Sequence, residues 1–320
     1  MSNVTVTETM TAPQSGRRQQ PAGRRSPLRA LGGRRSFLWV VPALAVIAVF
    51  VYYPLVQNIY LSFFQWSVFE PTPEFVGGEN YARALGDPIF WRSLWNNVAY
   101  AVVSLVFQVA GALVLAALVE TFVRRHSGIL RAIYFIPSAI SLTVAGLLFY
   151  FVYQPETGLL NAFLRIVGLG DLGQAWLGQE STAIWAIIVM SQWQSFGYTA
   201  LLFSVAIQRI PRELYDAADL DGVGEIGRIW YITTPLVREM STLLIIVTVT
   251  GAFQVFNEVM VMTSGGPNNS SQVLGTWLYH AGFINDEFGY AAAIATVVFV
   301  ITILLAIAQL WISRRRRVQW

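Results

Sequence analysis

Two apolar stretches of this sequence carry polar side chains at helical intervals. Thr250, Gln254 and Asn257 recur with Glu258 beside them, and Gln192, Ser195 and Thr199 recur with Gln194 and Tyr198 alongside. Residues three and four apart share a helix face, so each set reads as a polar stripe. An unpaired amide or carboxyl in hydrocarbon costs on the order of several kcal/mol, so both stripes must face protein or water. One use of such stripes is to bond the hydroxyls of a passing solute, with Trp193, Tyr198, Phe253 and Phe256 offering rings to the apolar face of a sugar. The other is to bond helix to helix. Ser191, Ser195 and Thr250 fit the second use, as do Ser104, Gln108 and Gly111 on an earlier stretch. Gln192, Tyr198, Gln254, Asn257 and Glu258 are the candidate pathway residues, because ionisable and amide groups inside spans tend to be functional. Glu258 also has a second reading, as a hydrated rim near the outer end of its helix.

A third group is acidic. Pro211 opens the segment Arg212-Glu213-Leu214-Tyr215-Asp216-Ala217-Ala218-Asp219-Leu220-Asp221-Gly222. Proline suits the first position of a helix, where its missing N–H costs nothing. Glu213 and Asp216 then favour the positive helix end. Leu214, Ala217 and Ala218 share one face, and the paired alanines leave it shallow enough for another protein to approach. Asp221-Gly222 marks a turn. A second helix is expected over residues 224–231, with Thr234 capping the following helix and Pro235 at its first position. On capping chemistry alone the segment reads as an ordinary amphipathic cytoplasmic loop.

Other chemistries are excluded or unsupported. There is no cysteine, so thiol chemistry and disulfides are out. All 21 basic residues are arginine, and a Walker A loop needs a lysine, so any ATP chemistry belongs to a partner. His126 and His280 stand apart without ligand spacing, so no metal site or cofactor is expected. No nucleophile elbow or His-Glu-x-x-His pattern occurs. Glu120 is expected to pair with Arg124 one turn on. Asp286 and Glu287, on a loop without arginine, are expected to be solvated.

The elements that position these groups follow from composition. Apolar residues make up 55% of 320 positions and charged residues 12%, with a mean hydropathy of +0.53. A soluble domain needs roughly a quarter of its residues charged, so lipid must cover much of this chain. Six stretches are long enough to span as helices: 37–60, 98–122, 132–153, 183–206, 241–262 and 290–312. An all-α membrane protein of six spans is therefore expected. Eighteen arginines fall on one side of that arrangement and three (Arg83, Arg92 and Arg165) on the other, which places both termini in the cytoplasm. Residues 1–35 read as a disordered basic tail in contact with lipid rather than nucleic acid, 36–314 as the membrane domain, and 315–320 as a short basic tail. The first span is too long for a secretory signal and has no cleavage site.

The spacing of Asp216-Ala217-Ala218, Asp221-Gly222 and Pro235 resembles the EAA loop of ABC-transporter permeases, E-A-A-x-x-D-G with a proline thirteen residues beyond. Aspartate stands at 216 where that loop usually has glutamate, which keeps the charge and shortens its reach. Pro42, Tyr53-Pro54 and Tyr60-Leu61-Ser62-Phe63 are similar to the opening of the carbohydrate-uptake members. So are Phe75-Val76-Gly77-Gly78-Glu79-Asn80-Tyr81, Phe253-Gln254-Val255-Phe256-Asn257-Glu258 and Thr263-Ser264-Gly265-Gly266-Pro267. Together these resemble the maltose-type and glycerol-3-phosphate-type permease subunits over most of residues 37–313. The resemblance implies a MetI-like permease fold and a non-enzymatic subunit of an importer for sugars or sugar-like solutes. It also implies a second homologous permease, a cytoplasmic ATPase dimer, an extracytoplasmic solute-binding protein and a bacterial or archaeal cell membrane. Glu213, Asp216, Ala217, Ala218, Asp221, Gly222 and Pro235 would form the ATPase-coupling element. An amino-acid or peptide permease is the alternative within that group. A secondary transporter is the alternative outside it, although no internal repeat is visible.

Overall fold

The computed structural model describes residues 32–70, 72–122 and 127–314. The expected tails lie almost wholly outside the described residues, as do Arg124, Arg125 and His126. The chain divides into a unit ending at Pro54 and one starting at Leu55. The first contains α1 (Gly32–Ile47), a π-helical turn (Ala48–Tyr52) and the start of α2 (Tyr53–Leu61). The run Trp39–Leu61 is long and apolar enough to cross a membrane, and none of its residues is buried.

In the second unit a two-residue hairpin, β1 (Phe64–Gln65) and β2 (Glu74–Phe75), pairs antiparallel with Phe64 opposite Phe75. It is a small addition to an otherwise helical chain. Next come α3 (Glu79–Gly86), α4 (Pro88–Ser104), a π-helical stretch (Leu105–Gly111) and α5 (Ala112–Phe122). Together, α4 through α5 form one 35-residue run that begins ten residues before the expected second span. The Asp87 carboxylate accepts from Ile89 N at 2.8 Å and Pro88 opens the helix, so the start is set by a cap rather than by hydrophobicity.

The third expected span is not one rod. It comprises α6 (Ser127–Phe135), a 3-10 turn (Ile136–Ala139) and α7 (Leu142–Val152), with an 88° bend between the halves. Pro137 lies in the turn, and the Ser141 hydroxyl caps α7 by accepting from Val144 N at 3.3 Å. After α8 (Leu159–Ile166), α9 (Ala183–Ile207) is a continuous 25-residue helix. The described residues contain three helices long and apolar enough to span, or five if each bent pair counts as one, and α9 is not among them. Its middle is occupied by the polar stripe, and its residues pack against other helices instead.

The hairpin region comprises α10 (Arg212–Leu220), α11 (Glu225–Arg228), a π-helical turn (Ile229–Thr233) and α12 (Thr234–Leu236), followed by α13 (Arg238–Ala252). The two halves on either side of Val237 meet at 71°. Thr234 does not cap α13 as expected: its hydroxyl donates to Ile229 O at 2.9 Å, inside the preceding turn. The fifth expected span is also interrupted, because α13 ends at Ala252 and α14 (Asn257–Met262) starts after a four-residue break. α15 (Leu274–Tyr279) and α16 (Phe288–Arg314) complete the chain.

Two apolar clusters meet on α9. One gathers Phe90, Tyr100, Ile187, Met190, Val259, Leu274 and Ile294, and the other Val109, Ala112, Ala116, Ala200, Phe203 and Leu244. Alanines at 112, 116, 117 and 200 let α5 and α9 approach closely, as small residues do between membrane helices. Gly197 goes further: a Cβ there would sit 1.8 Å from Tyr134 O, so α9 lies directly on the backbone where the third span bends. Gly289 lies in the same way against Phe64 O, which fixes the start of α16 on the β-hairpin.

Candidate functional site

Pro211 precedes α10 with an extended ψ of 137°, and the helix starts at Arg212. The helix closes through Gly222, whose φ of +73° is the left-handed conformation that favours glycine. Gly222 N donates to Asp219 O at 3.1 Å and Val223 N to Ala218 O at 2.9 Å, which is the Schellman pattern. The turn redirects the chain into α11, and side-chain links join the two arms. Arg228 spans the two: its guanidinium reaches Asp219 at 2.8 Å and Glu225 at 3.6 Å. The Tyr215 hydroxyl meets Thr233 Oγ1 at 2.9 Å, joining α10 to the turn that leads into Pro235.

The expected shared face of Leu214, Ala217 and Ala218 is split. Ala218 is buried, while Leu214 and Ala217 are exposed. Glu213, Asp216, Asp221 and Pro235 are also exposed. The outer surface of the hairpin shows Leu220 at 91% exposure, with Ile226, Trp230 and Tyr231 also exposed. A cavity of about 340 Å³ lies under it, lined by Arg212, Tyr215, Asp216 and Arg228 on one wall and Glu120, Arg131 and Gln208 on the other. Glu120 pairs with Arg131 of α6 at 3.0 Å, while its expected partner Arg124 lies outside the described residues.

The candidate pathway residues separate into two groups. Glu258 is 3% exposed and its Oε1 accepts from the Tyr100 hydroxyl at 2.7 Å, so it is no hydrated rim. Gln192 is buried too; its amide donates to Ser104 Oγ at 3.1 Å and Ile188 O at 3.2 Å, and its Oε1 has no partner among the described residues. Tyr198, Gln254 and Asn257 are exposed. Gln254 lies in the break rather than on a helix, so the stripe with Thr250 and Asn257 does not form as a continuous face. Phe253 is 5% exposed and belongs to the core, whereas Trp193 packs against Phe149 at 5.0 Å and keeps an exposed edge.

The break is held by residues that the stripe reading missed. Asn97 Nδ2 donates to Ala252 O at 2.7 Å, and its Oδ1 accepts from Leu274 N at 2.9 Å. Asn96 donates to Ser270 O and Gln272 O, both at 2.8 Å. Ser93, Asn97, Tyr100, Ser104 and Gln108 follow one another at helical spacing on a single face. That signal was available in the sequence.

At the far end of the molecule Asp286 and Glu287 are not simply solvated. Asp286 bonds Ser67 Oγ and Val68 N, and Glu287 takes both guanidinium nitrogens of Arg83 at 2.9 and 2.8 Å. The hydrogen bond to Glu287 raises the Arg83 pKa further above its ordinary value. His280 stacks on Trp277. Among the described residues no group of three or more His, Asp or Glu could hold a metal.

Residues 112–318 match the family model described as binding-protein-dependent transport system inner membrane component. The chain is 51% identical over 275 residues to the probable ABC transporter permease protein YurN of Bacillus subtilis, covering 86% of this chain and 94% of that protein. It is 31% identical over 296 residues to the lactose transport system permease protein LacF of Rhizobium radiobacter, covering 92% and 98%. A solved bacterial ABC transporter that imports the acidic polysaccharide alginate superposes with a TM-score of 0.79 at 21% identity, covering 91% of this chain and 99% of that one. The chain therefore belongs to the binding-protein-dependent inner membrane permeases of ABC transporters, components that carry solute rather than catalyse a reaction.

Proposed function

We propose that this chain forms half of the translocation pore of an ATP-driven, binding-protein-dependent importer for sugars or sugar-like solutes. It crosses the membrane six times with both termini in the cytoplasm, in accord with the arginine bias. The five candidate spans supply five crossings, counting each bent pair as one, and α9 is the sixth, with most of its residues buried against its neighbours and Trp185, Val189, Trp193 and Tyr198 left exposed. A second homologous permease completes the pore, a solute-binding protein delivers substrate outside, and an ATPase dimer docks inside. The lactose permease among its relatives supports a sugar as cargo.

The observation that carries this reading is the Gly222 hairpin, a compact helix–turn–helix with an acidic rim and an exposed apolar crown of Leu220, Ile226 and Tyr231. A crown of that kind is what a partner protein buries. Glu213, Asp216, Ala217, Ala218, Asp221 and Gly222 form the docking element, and Pro235 lies just before the bend that joins it to the fifth span. When the ATPases close, the hairpin moves and redirects that span, so the pore changes which side it opens to. Tyr198, Gln254 and Asn257, being exposed, are the residues placed to meet solute; Gln192 offers its unpartnered oxygen from behind them, and Glu258 fixes the frame through Tyr100.

The test is transport by the complete complex in proteoliposomes. Gly222→Val forces a β-branched side chain into a φ of +73°. It should abolish uptake and solute-stimulated ATP hydrolysis while leaving membrane insertion intact. Normal uptake by that variant would overturn the docking role.

A further inference from the structure

Resting on that coupling role, we infer that Arg228 is a positioning residue that clasps the two halves of the hairpin into one lever. Beyond its capped turn, the hairpin is held to the body on one arm, through the buried Ile229 and Thr233. Its inner side faces the cavity of about 340 Å³, and Ala218 is the only residue of α10 that is buried. α11 runs on through the π-helical turn and α12 as one helix from Glu225 to Leu236, still short enough to be marginal on its own. A force applied to α10 by a docked partner would open the Gly222 turn unless something tied its two arms together.

Arg228 supplies that tie. It is the last residue of α11, and its side chain is only 18% exposed, laid across the hairpin. One nitrogen holds Asp219, in the last turn of α10, and another holds Glu225, at the start of α11. The guanidinium thus sets one positive charge between the two carboxylates, at 2.8 and 3.6 Å. The second tie, Tyr215 to Thr233, sits one helical turn back along α10 and closes the other end of the same frame. The two ties stand on opposite sides of the turn to Pro235. A push on α10 therefore reaches the 71° bend as a rotation of the whole frame, instead of being lost in the turn.

The experiment compares solute transported per ATP hydrolysed in the reconstituted complete transporter, with subunit stoichiometry as the assembly control. Arg228→Gln should keep the ATPase bound and lower that ratio about five-fold or more. Arg228→Glu alone should do the same, and adding Asp219→Arg should recover most of the loss. If Arg228→Gln fails to assemble, Asp219→Asn decides, because it removes the same bond from the half-exposed side. A wild-type ratio in Arg228→Gln or Asp219→Asn, or no recovery in the charge-swapped pair, would overturn the clasp. Gly222→Val separates the two claims. If that variant is inactive while Arg228→Gln is normal, the clasp alone falls; if it transports normally, the docking role falls as well.

Discussion

Gly197→Ala is the sharpest test of the packing. The added carbon would lie 1.8 Å from Tyr134 O, 2.7 Å from the same carbonyl carbon and 3.1 Å from Phe135 Cα. All three are backbone atoms, so no rotamer change relieves the clash. Reaching even a tight 3.0 Å contact needs a shift of roughly 1.2 Å between α9 and the bend of the third span. Overpacking of that kind costs about 1–3 kcal/mol, and more where neither side yields. Gly251→Ala is the matched control: nothing lies within 4 Å of its Cβ, and alanine is favoured over glycine in a helix by about 1 kcal/mol. Thermal unfolding of the purified complex in detergent should show Gly197→Ala several degrees below wild type, about 3–10 °C. Gly251→Ala should stay level with wild type or rise slightly. An unchanged midpoint for Gly197→Ala would refute direct helix-on-backbone contact at that site.

Two further perturbations follow. Asn97→Leu strips the partners from Ala252 O and Leu274 N at a site with 0% exposure; at about 1–3 kcal/mol each, the loss should appear as poor monodispersity in size-exclusion chromatography, and a normal elution profile would contradict the bridge. Arg83→Ala breaks an ion pair whose members are 51% and 36% exposed, together with a stacking contact 4.2 Å from the Tyr290 ring, so stability should fall by about 1 kcal/mol, read as a lower unfolding midpoint, and the loss should shrink in high salt.

The apolar runs were legible because apolar length is a property of consecutive residues, although only three of the described helices are by themselves long and apolar enough to cross a membrane. Their breaks were less so. Pro137 and Ser141 sat in plain view, yet whether a proline bends a span or sits within it depends on what its neighbours pack against. The hairpin was legible for a local reason: the glycine of Asp221-Gly222 tolerates the left-handed conformation a helix-ending turn needs, and the structure puts Gly222 at a positive φ. What failed was the assumption that polar residues at helical spacing share a helix. Gln254 lies in a gap, which the stripe could not reveal. Long-range partners were illegible in principle. Tyr100 and Glu258 are 158 positions apart, and Glu120 pairs with Arg131 on the next helix.

The gap between Ala252 and Asn257 divides the fifth span into two short pieces with separate anchors. The piece beyond it is moored to α4 through Glu258 and Tyr100, and the piece before it continues from the hairpin bend. A straight cylinder would carry a push from one water phase to the other like a piston. Two pieces joined at an irregular break can instead meet such a push with a change of the angle between them.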